Sequence, residues 1–300
     1  MKKLIGIALM LFILLFGCTA PEGQYGEAAG DGKIRILVSI LPQKEFVKSV
    51  GGDYVDVKEL VPPGASPATY ELKPADLIAI ENAGIYFRIG HIPFEKAYIG
   101  KIESANPDLE VVDTSKNAEL IYFGGGSGEA HSHDEGRADP HIWLSPRRVA
   151  QQVEIIYKTL AEKDPEHEDY YRQNADEYIE KLKKLDEGLN KTFESMEGKK
   201  VLVFHPAWGY FCHDYGLEQI AIEPEGKEPT AKQLKNIIDI AKSEDIKVVF
   251  VQKQFSTTAA SSVADEIGGV VVHIDPLAEN YLESMQNVGE AISAGLENRE

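Results

Sequence analysis

Histidine and carboxylate recur at places where a ligand could sit. His205 directly follows the apolar run Val201-Leu202-Val203-Phe204, and Asp275 directly follows Val270-Val271-Val272-His273-Ile274. His91 comes just after Ile85-Tyr86-Phe87-Arg88-Ile89, and the segment Gly64 to Leu72 comes just after the run Val55 to Val61. His141 lies in the turn Asp139-Pro140-His141, ahead of Ser145-Pro146. In open parallel sheets, ligands bind in the crevice beyond the carboxyl ends of the strands. If the apolar runs are strands, these positions face a site. A lone histidine in a chain of 300 residues is more often a surface or core residue. Two at site-facing ends, with an aspartate at a third, bring a metal site level with that plainer reading. Imidazole and carboxylate together suit Zn2+, with Mn2+ and Fe2+ as competitors because oxygen-rich sets favour harder ions. No cysteine is placed to contribute, which removes soft thiolate sites.

The remaining histidines read differently. His131 and His133 follow Gly124-Gly125-Gly126-Ser127-Gly128 in a polar, acidic loop. Short His-rich tracts bind metal weakly and reversibly, and a plain solvated loop is the competing expectation. The glycines do not form a phosphate loop, since no Gly-Lys-Ser/Thr follows them. His167 falls in a charged helix start and His213 in a short helix, both expected at the surface or in packing. His273 is two residues before Asp275 and shares its face in a regular strand, where a structural role is expected. Glu279 is a possible outer-shell group.

The elements that must position these residues alternate along the chain. Strands are expected at Ile34–Ile40, Val55–Val61, Ile85–Ile89 and Leu109–Val112, with helices at Pro42–Val50 and Pro74–Ala83. The alternation restarts with strands at Val201–Phe204, Leu217–Ile222, Lys247–Val251 and Val270–Ile274. Helices are expected there over Ala207–Tyr215, Thr230–Glu244, Thr257–Ile267 and Glu279–Leu296. Strands alternating with helices imply parallel, helix-covered sheets. Between the two halves, Ser145-Pro146 starts one helix with Val149, Val153, Ile156 and Leu160 on one face. Asp164-Pro165 starts a second, with Tyr171, Ala175, Tyr178, Leu182, Leu185, Leu189 and Phe193 spaced by fours and threes up to a stop at Gly198. At 1.5 Å per residue this strut would run roughly 45–50 Å. The fold class expected is α/β: two lobes, each with a parallel sheet flanked by helices, joined by a single long helix.

Lys2 and Lys3, an apolar run from Leu4 to Phe16 and Gly17-Cys18 describe a secretory signal; the run is too short to span a bilayer, which takes about 20 residues. The step Leu15-Phe16-Gly17-Cys18 resembles a lipoprotein box, which makes Cys18 the expected lipid attachment point and places the chain on the outer face of the cell membrane. Residues 18–32 read as a flexible tether, 33–145 as an N-terminal lobe, 146–198 as connecting helices and 199–300 as a C-terminal lobe. Cys212 is the only other cysteine, so no disulfide forms within the mature chain, and a lone thiol is expected to be buried. The net charge is -18, which argues against nucleic acid as a partner, since that binding is dominated by cationic contacts to phosphate.

Four stretches carry a resemblance to a known family: Val61-Pro62-Pro63-Gly64-Ala65-Ser66-Pro67, Asp139-Pro140-His141-Ile142-Trp143-Leu144-Ser145-Pro146, Val203-Phe204-His205-Pro206-Ala207-Trp208-Gly209-Tyr210 and Asp275-Pro276-Leu277-Ala278-Glu279. Together they make the chain from Lys33 to Leu296 similar to the zinc/manganese solute-binding proteins of ABC transporters (cluster A-I). Phe250-Val251-Gln252-Lys253-Gln254-Phe255 resembles a further family segment, with Gln252 where glutamate is usual. The resemblance implies a metal held between the lobes by His141, His205 and Asp275, and an ABC permease as partner. It also implies a fourth ligand in a Pro-His-x-Tyr-Glu pattern, where this chain reads Pro67-Ala68-Thr69-Tyr70-Glu71. Ala68 coordinates nothing. Water could complete the shell, His91 or the His131/His133 loop could substitute, or the cleft could hold a non-metal ligand. Tyr70 and Glu71 remain candidates for outer-shell contacts.

Two other function classes compete with transport. Three protein ligands plus water is also a catalytic zinc arrangement, but no general base stands out and no His-Glu-x-x-His helix is present. A non-enzyme is therefore expected. An adhesion role is the third class.

Overall fold

The computed structural model describes residues 32–123, 137–223, 229–255 and 257–297. Two four-stranded parallel sheets form the frame. The first contains β1 (Ile34–Val38), β2 (Val55–Glu59), β3 (Ile85–Arg88) and β4 (Glu110–Asp113), in the order β2-β1-β3-β4. The second contains β5 (Lys200–Val203), β6 (Glu218–Ala221), β7 (Val248–Val251) and β8 (Val270–His273), in the order β6-β5-β7-β8. The two sheets repeat one topology, and each reverses direction of growth between its two central strands. That reversal opens a crevice at the carboxyl ends of β1 and β3, and another at those of β5 and β7. The central strands are apolar on both faces because helices cover both sides; all four residues of β7 are buried.

Helices α1 (Leu41–Gly51), α2 (Pro74–Glu81) and α3 (Pro93–Ala105) flank the first sheet, and α6 (Gly209–Asp214), α7 (Ala231–Ser243), α8 (Thr257–Ile267) and α9 (Tyr281–Glu297) the second. Helix α3 is absent from the expectations drawn from sequence. Pro93 starts it, and Phe94, Glu95 and Ile102 are buried on its inner face. Gly100 and the polar residues between them hide that stripe. Elsewhere the elements fall where the alternation places them, with ends displaced by a residue or two, as fraying termini allow.

Helices α4 (Pro146–Lys163) and α5 (Glu168–Phe193) lie between the sheets. The Ser145 hydroxyl accepts from the Arg148 N–H at the start of α4, and Pro146 fills the first helical position. Val149, Val153, Ile156 and Leu160 are fully buried along one face. Helix α5 has 26 residues, about 39 Å, shorter than its apolar pattern suggests. The chain leaves the helix after Phe193 in a turn closed by the Met196 N–H on the Phe193 carbonyl, with Gly198 at φ 75°. Met196 is buried, which continues the apolar spacing beyond the helix itself. Helix α5 packs against α4, α1 and α9, so one strut touches both halves of the molecule.

Candidate metal centre

His141 and His205 meet in one cavity of about 50 Å³, large enough for an ion and a few waters. Each ring is oriented by a buried carboxylate. Asp139 accepts both the main-chain N–H of His141, at 2.9 Å, and sits 2.6 Å from its Nδ1. Glu223 stands 2.7 Å from Nδ1 of His205. With Nδ1 held by a carboxylate in both cases, Nε2 is the nitrogen each ring offers to a ligand. The ring centroids are 5.3 Å apart and inclined by 76°. Two imidazoles that share a tetrahedral zinc through Zn–N bonds of about 2.1 Å have centroids roughly 5 Å apart. The pair is spaced for one ion.

The local fold explains how His205 is fixed. It leaves the carboxyl end of β5, at the reversal point of the second sheet. From the end of the neighbouring strand β7, Gln252 accepts from the His205 N–H (3.3 Å) and donates to its carbonyl (2.9 Å). The imidazole stacks on Phe255, with centroids 4.7 Å apart and planes within 22°. Burial pushes its pKa below the ordinary histidine value; the bond to Glu223 opposes that shift and the neighbouring His141 adds to it. A neutral imidazole is the form that binds a metal.

Asp275 is not in the histidine cavity. It lies in an adjoining groove, and Gln254 and Leu277 line both spaces. Its Oδ1 accepts from the Leu277 N–H at 3.0 Å and from Gln254 at 3.4 Å, and its Oδ2 pairs with Lys253 at 3.4 Å. Among the described residues, no three His, Cys, Asp or Glu side chains are grouped closely enough to hold a metal. The structure therefore unites two residues of the expected set and leaves the third one wall away.

Ser66, Pro67 and Ala68 also line the cavity, so the segment where a further histidine was sought does face it. His91 does not, although its neighbours Ile92 and Pro93 do. Burial lowers the pKa of His91, partly offset by Asp113. Tyr70 is buried with its hydroxyl donating to Asp76 at 2.7 Å, and Glu71 is exposed outside the cavity. Neither touches a ring of the histidine pair. His131, His133 and Cys18 lie outside the described residues. His167 pairs with Asp164 at 2.7 Å and its ring sits 3.8 Å from that of Tyr54. His213 and His273 are exposed.

The wall formed by Ile92 and Pro93 hangs on Glu95, which is fully buried in α3. Its carboxylate accepts from the N–H groups of Ile89 (2.8 Å) and Gly90 (2.6 Å) and from the Ser39 hydroxyl. Burial pushes its pKa up to about 7 against these bonds. Asp139, Glu223, Gln252 and Phe255 contact the two histidines, and the sequence expectations gave them no role at the site. The signal for two of them was present: Glu223 and Gln252 follow β6 and β7 just as His205 follows β5.

Comparison with known proteins places this geometry. The family model for ZnuA, the periplasmic component A of zinc-uptake complexes, matches residues 36–295. The high-affinity zinc uptake system protein ZnuA of Bacillus subtilis (strain 168) is 29% identical over 273 residues, covering 87% of this chain and 83% of that protein. The zinc-binding lipoprotein AdcA of Streptococcus pneumoniae is 28% identical over 300 residues, and the chain spans only 58% of its length. A crystal structure of ZnuA superimposes with a TM-score of 0.83 at 38% identity, over 88% of this chain and all of that one. With the matched region spanning both sheets, both strut helices and the histidine cavity, the chain belongs to the ZnuA family of zinc-uptake components.

Proposed function

We propose that this protein is the extracytoplasmic solute-binding component of an ABC importer, and that it captures Zn2+ as cargo on the Nε2 atoms of His141 and His205. The observation that carries this is the pair of imidazoles 5.3 Å apart, each backed by a buried carboxylate. Asp275, in the adjoining groove, completes the set by exchanging Lys253 and Gln254 for the ion. A water takes the position that Ala68 leaves open. Asp139 and Glu223 keep both rings in the metal-binding tautomer and raise their basicity. The role is capture and release to a permease, without turnover. Cys18 carries the lipid that holds the protein at the outer face of the membrane.

A ligand that binds only the folded chain raises its melting temperature with concentration. Zinc should therefore shift the melting curve of the wild-type chain, and His141→Ala or His205→Ala should remove most of that shift. His167→Ala should retain it, whatever the loss of its Tyr54 contact does to the metal-free chain. A shift that survives in both cavity variants would place the zinc elsewhere.

A further inference from the structure

One carboxylate outside the cavity ties both lobes and the strut together. Glu45 lies on α1, in the first lobe. Its Oε1 accepts from the Tyr178 hydroxyl of α5 at 2.7 Å, and its Oε2 accepts from the main-chain N–H of Tyr281 at 2.5 Å. Tyr281 is the first residue of α9, whose opening N–H groups have no partner within the helix. A carboxylate there also complements the helix dipole. The first lobe thus supplies the cap of a helix in the second. The neighbouring Phe46 ring meets Tyr281 edge-on at 4.9 Å, which sets the depth of the joint.

That cap lies six residues beyond Asp275. The Ser284 hydroxyl, in the first turn of α9, donates to the Asp275 carbonyl at 3.4 Å, and the Trp143 indole donates to the Pro276 carbonyl at 2.8 Å. Displacement of the start of α9 therefore moves the loop that bears Asp275. We propose that Glu45 is a positioning residue for zinc capture: from the first lobe it holds the start of α9, and through it the Asp275 loop, beside the histidine cavity. This rests on Asp275 being a zinc ligand.

Glu45→Ala tests it. Alanine removes both acceptor oxygens, whereas a glutamine amide could accept from the Tyr281 N–H and donate to the Tyr178 hydroxyl, keeping both bonds. Zinc affinity of the full chain is measured by competition with a fluorescent chelator for wild type, Glu45→Ala, Asp275→Ala and the double variant. Glu45→Ala should weaken zinc on the order of tenfold, the range of coupling between residues that share a network. In the Asp275→Ala background it should add less than twofold, because its effect runs through Asp275. Tyr178→Phe removes the other bond and leaves the α9 cap intact, so its zinc affinity should stay within twofold of wild type. If Glu45→Ala does not fold, Glu45→Asp, which keeps the charge but shortens the reach, takes its place with the same expectations. Unchanged affinity in Glu45→Ala, an additive double variant, or an equal loss in Tyr178→Phe each overturn the proposal while leaving the zinc site standing. Unchanged affinity in Asp275→Ala removes Asp275 from the site, and the role of Glu45 with it.

Discussion

Ala68→His should tighten zinc binding, which makes it a sharper probe of the cavity than any loss of function. Ala68 lines the same cavity as His141 and His205, and its N–H is already fixed by the Ser66 hydroxyl at 3.3 Å. The residue is exposed on its other side, so a larger side chain displaces no core. Four-ligand structural zinc sites bind with about 10–16 kcal/mol, or roughly 3 kcal/mol per ligand. Ordering one more side chain costs about 1 kcal/mol. The net gain of about 2 kcal/mol corresponds to an affinity increase of about 30-fold. Competition against a fluorescent zinc chelator at neutral pH would read it directly, with His141→Ala as the control for loss. An affinity within threefold of wild type, alongside a clear loss in His141→Ala, would show that the Ser66–Ala68 segment does not reach the ion.

Glu223→Gln keeps an acceptor beside His205 but removes the charge, and outer-shell losses of this kind cost about 10- to 100-fold in metal affinity. Calorimetry should find zinc weakened about tenfold; no change would mean that the Phe255 stack alone holds the ring. Glu95 has a folded pKa of about 7, raised by burial from 4.5, so the folded state takes up its proton more readily than the unfolded chain does. Its contribution to stability is complete below about pH 4.5 and is lost as the pH rises through about 7. The melting temperature of Glu95→Gln should consequently fall less than that of wild type between those values, and parallel curves would exclude Glu95 as the source. Burial pushes the Cys212 thiol up to about 12, so alkylation at pH 8 should label it only after denaturation. Rapid labelling of the folded chain would contradict that.

Much of the frame was legible in the sequence because apolar runs and helix signals report local physics. The strand preceding His205 and the turn preceding His141 both announce themselves, and the parallel topology then brings the two residues together. The orientation of Asp275 was not legible. It depends on Lys253 and Gln254, which arrive from the next strand over, and no spacing within one segment reveals a pairing across segments. Asp139 stood within a recognised stretch, yet its contact with His141 emerges only when the turn folds its carboxylate back to the Nδ1 edge of that ring. Helix α3 escaped because Gly100 and charged neighbours dilute its apolar stripe, and α5 was overestimated because Met196 continues the spacing after the helix has ended.

The joint between Glu45 and Tyr281 spans 236 positions of sequence, and that between Trp143 and Pro276 spans 133. Contacts so distant along the chain form late, because the entropy of closing a long loop must be met before they contribute. Helix α9 buries Tyr281, Met285, Val288, Ile292 and Leu296, and it packs against α5, which is made more than a hundred residues earlier. Until the C-terminal stretch has been synthesised, the strut therefore keeps an apolar face without its cover. Completion of the fold waits on the last helix, and a chain cut short before Tyr281 should remain soluble only with the help of a holdase.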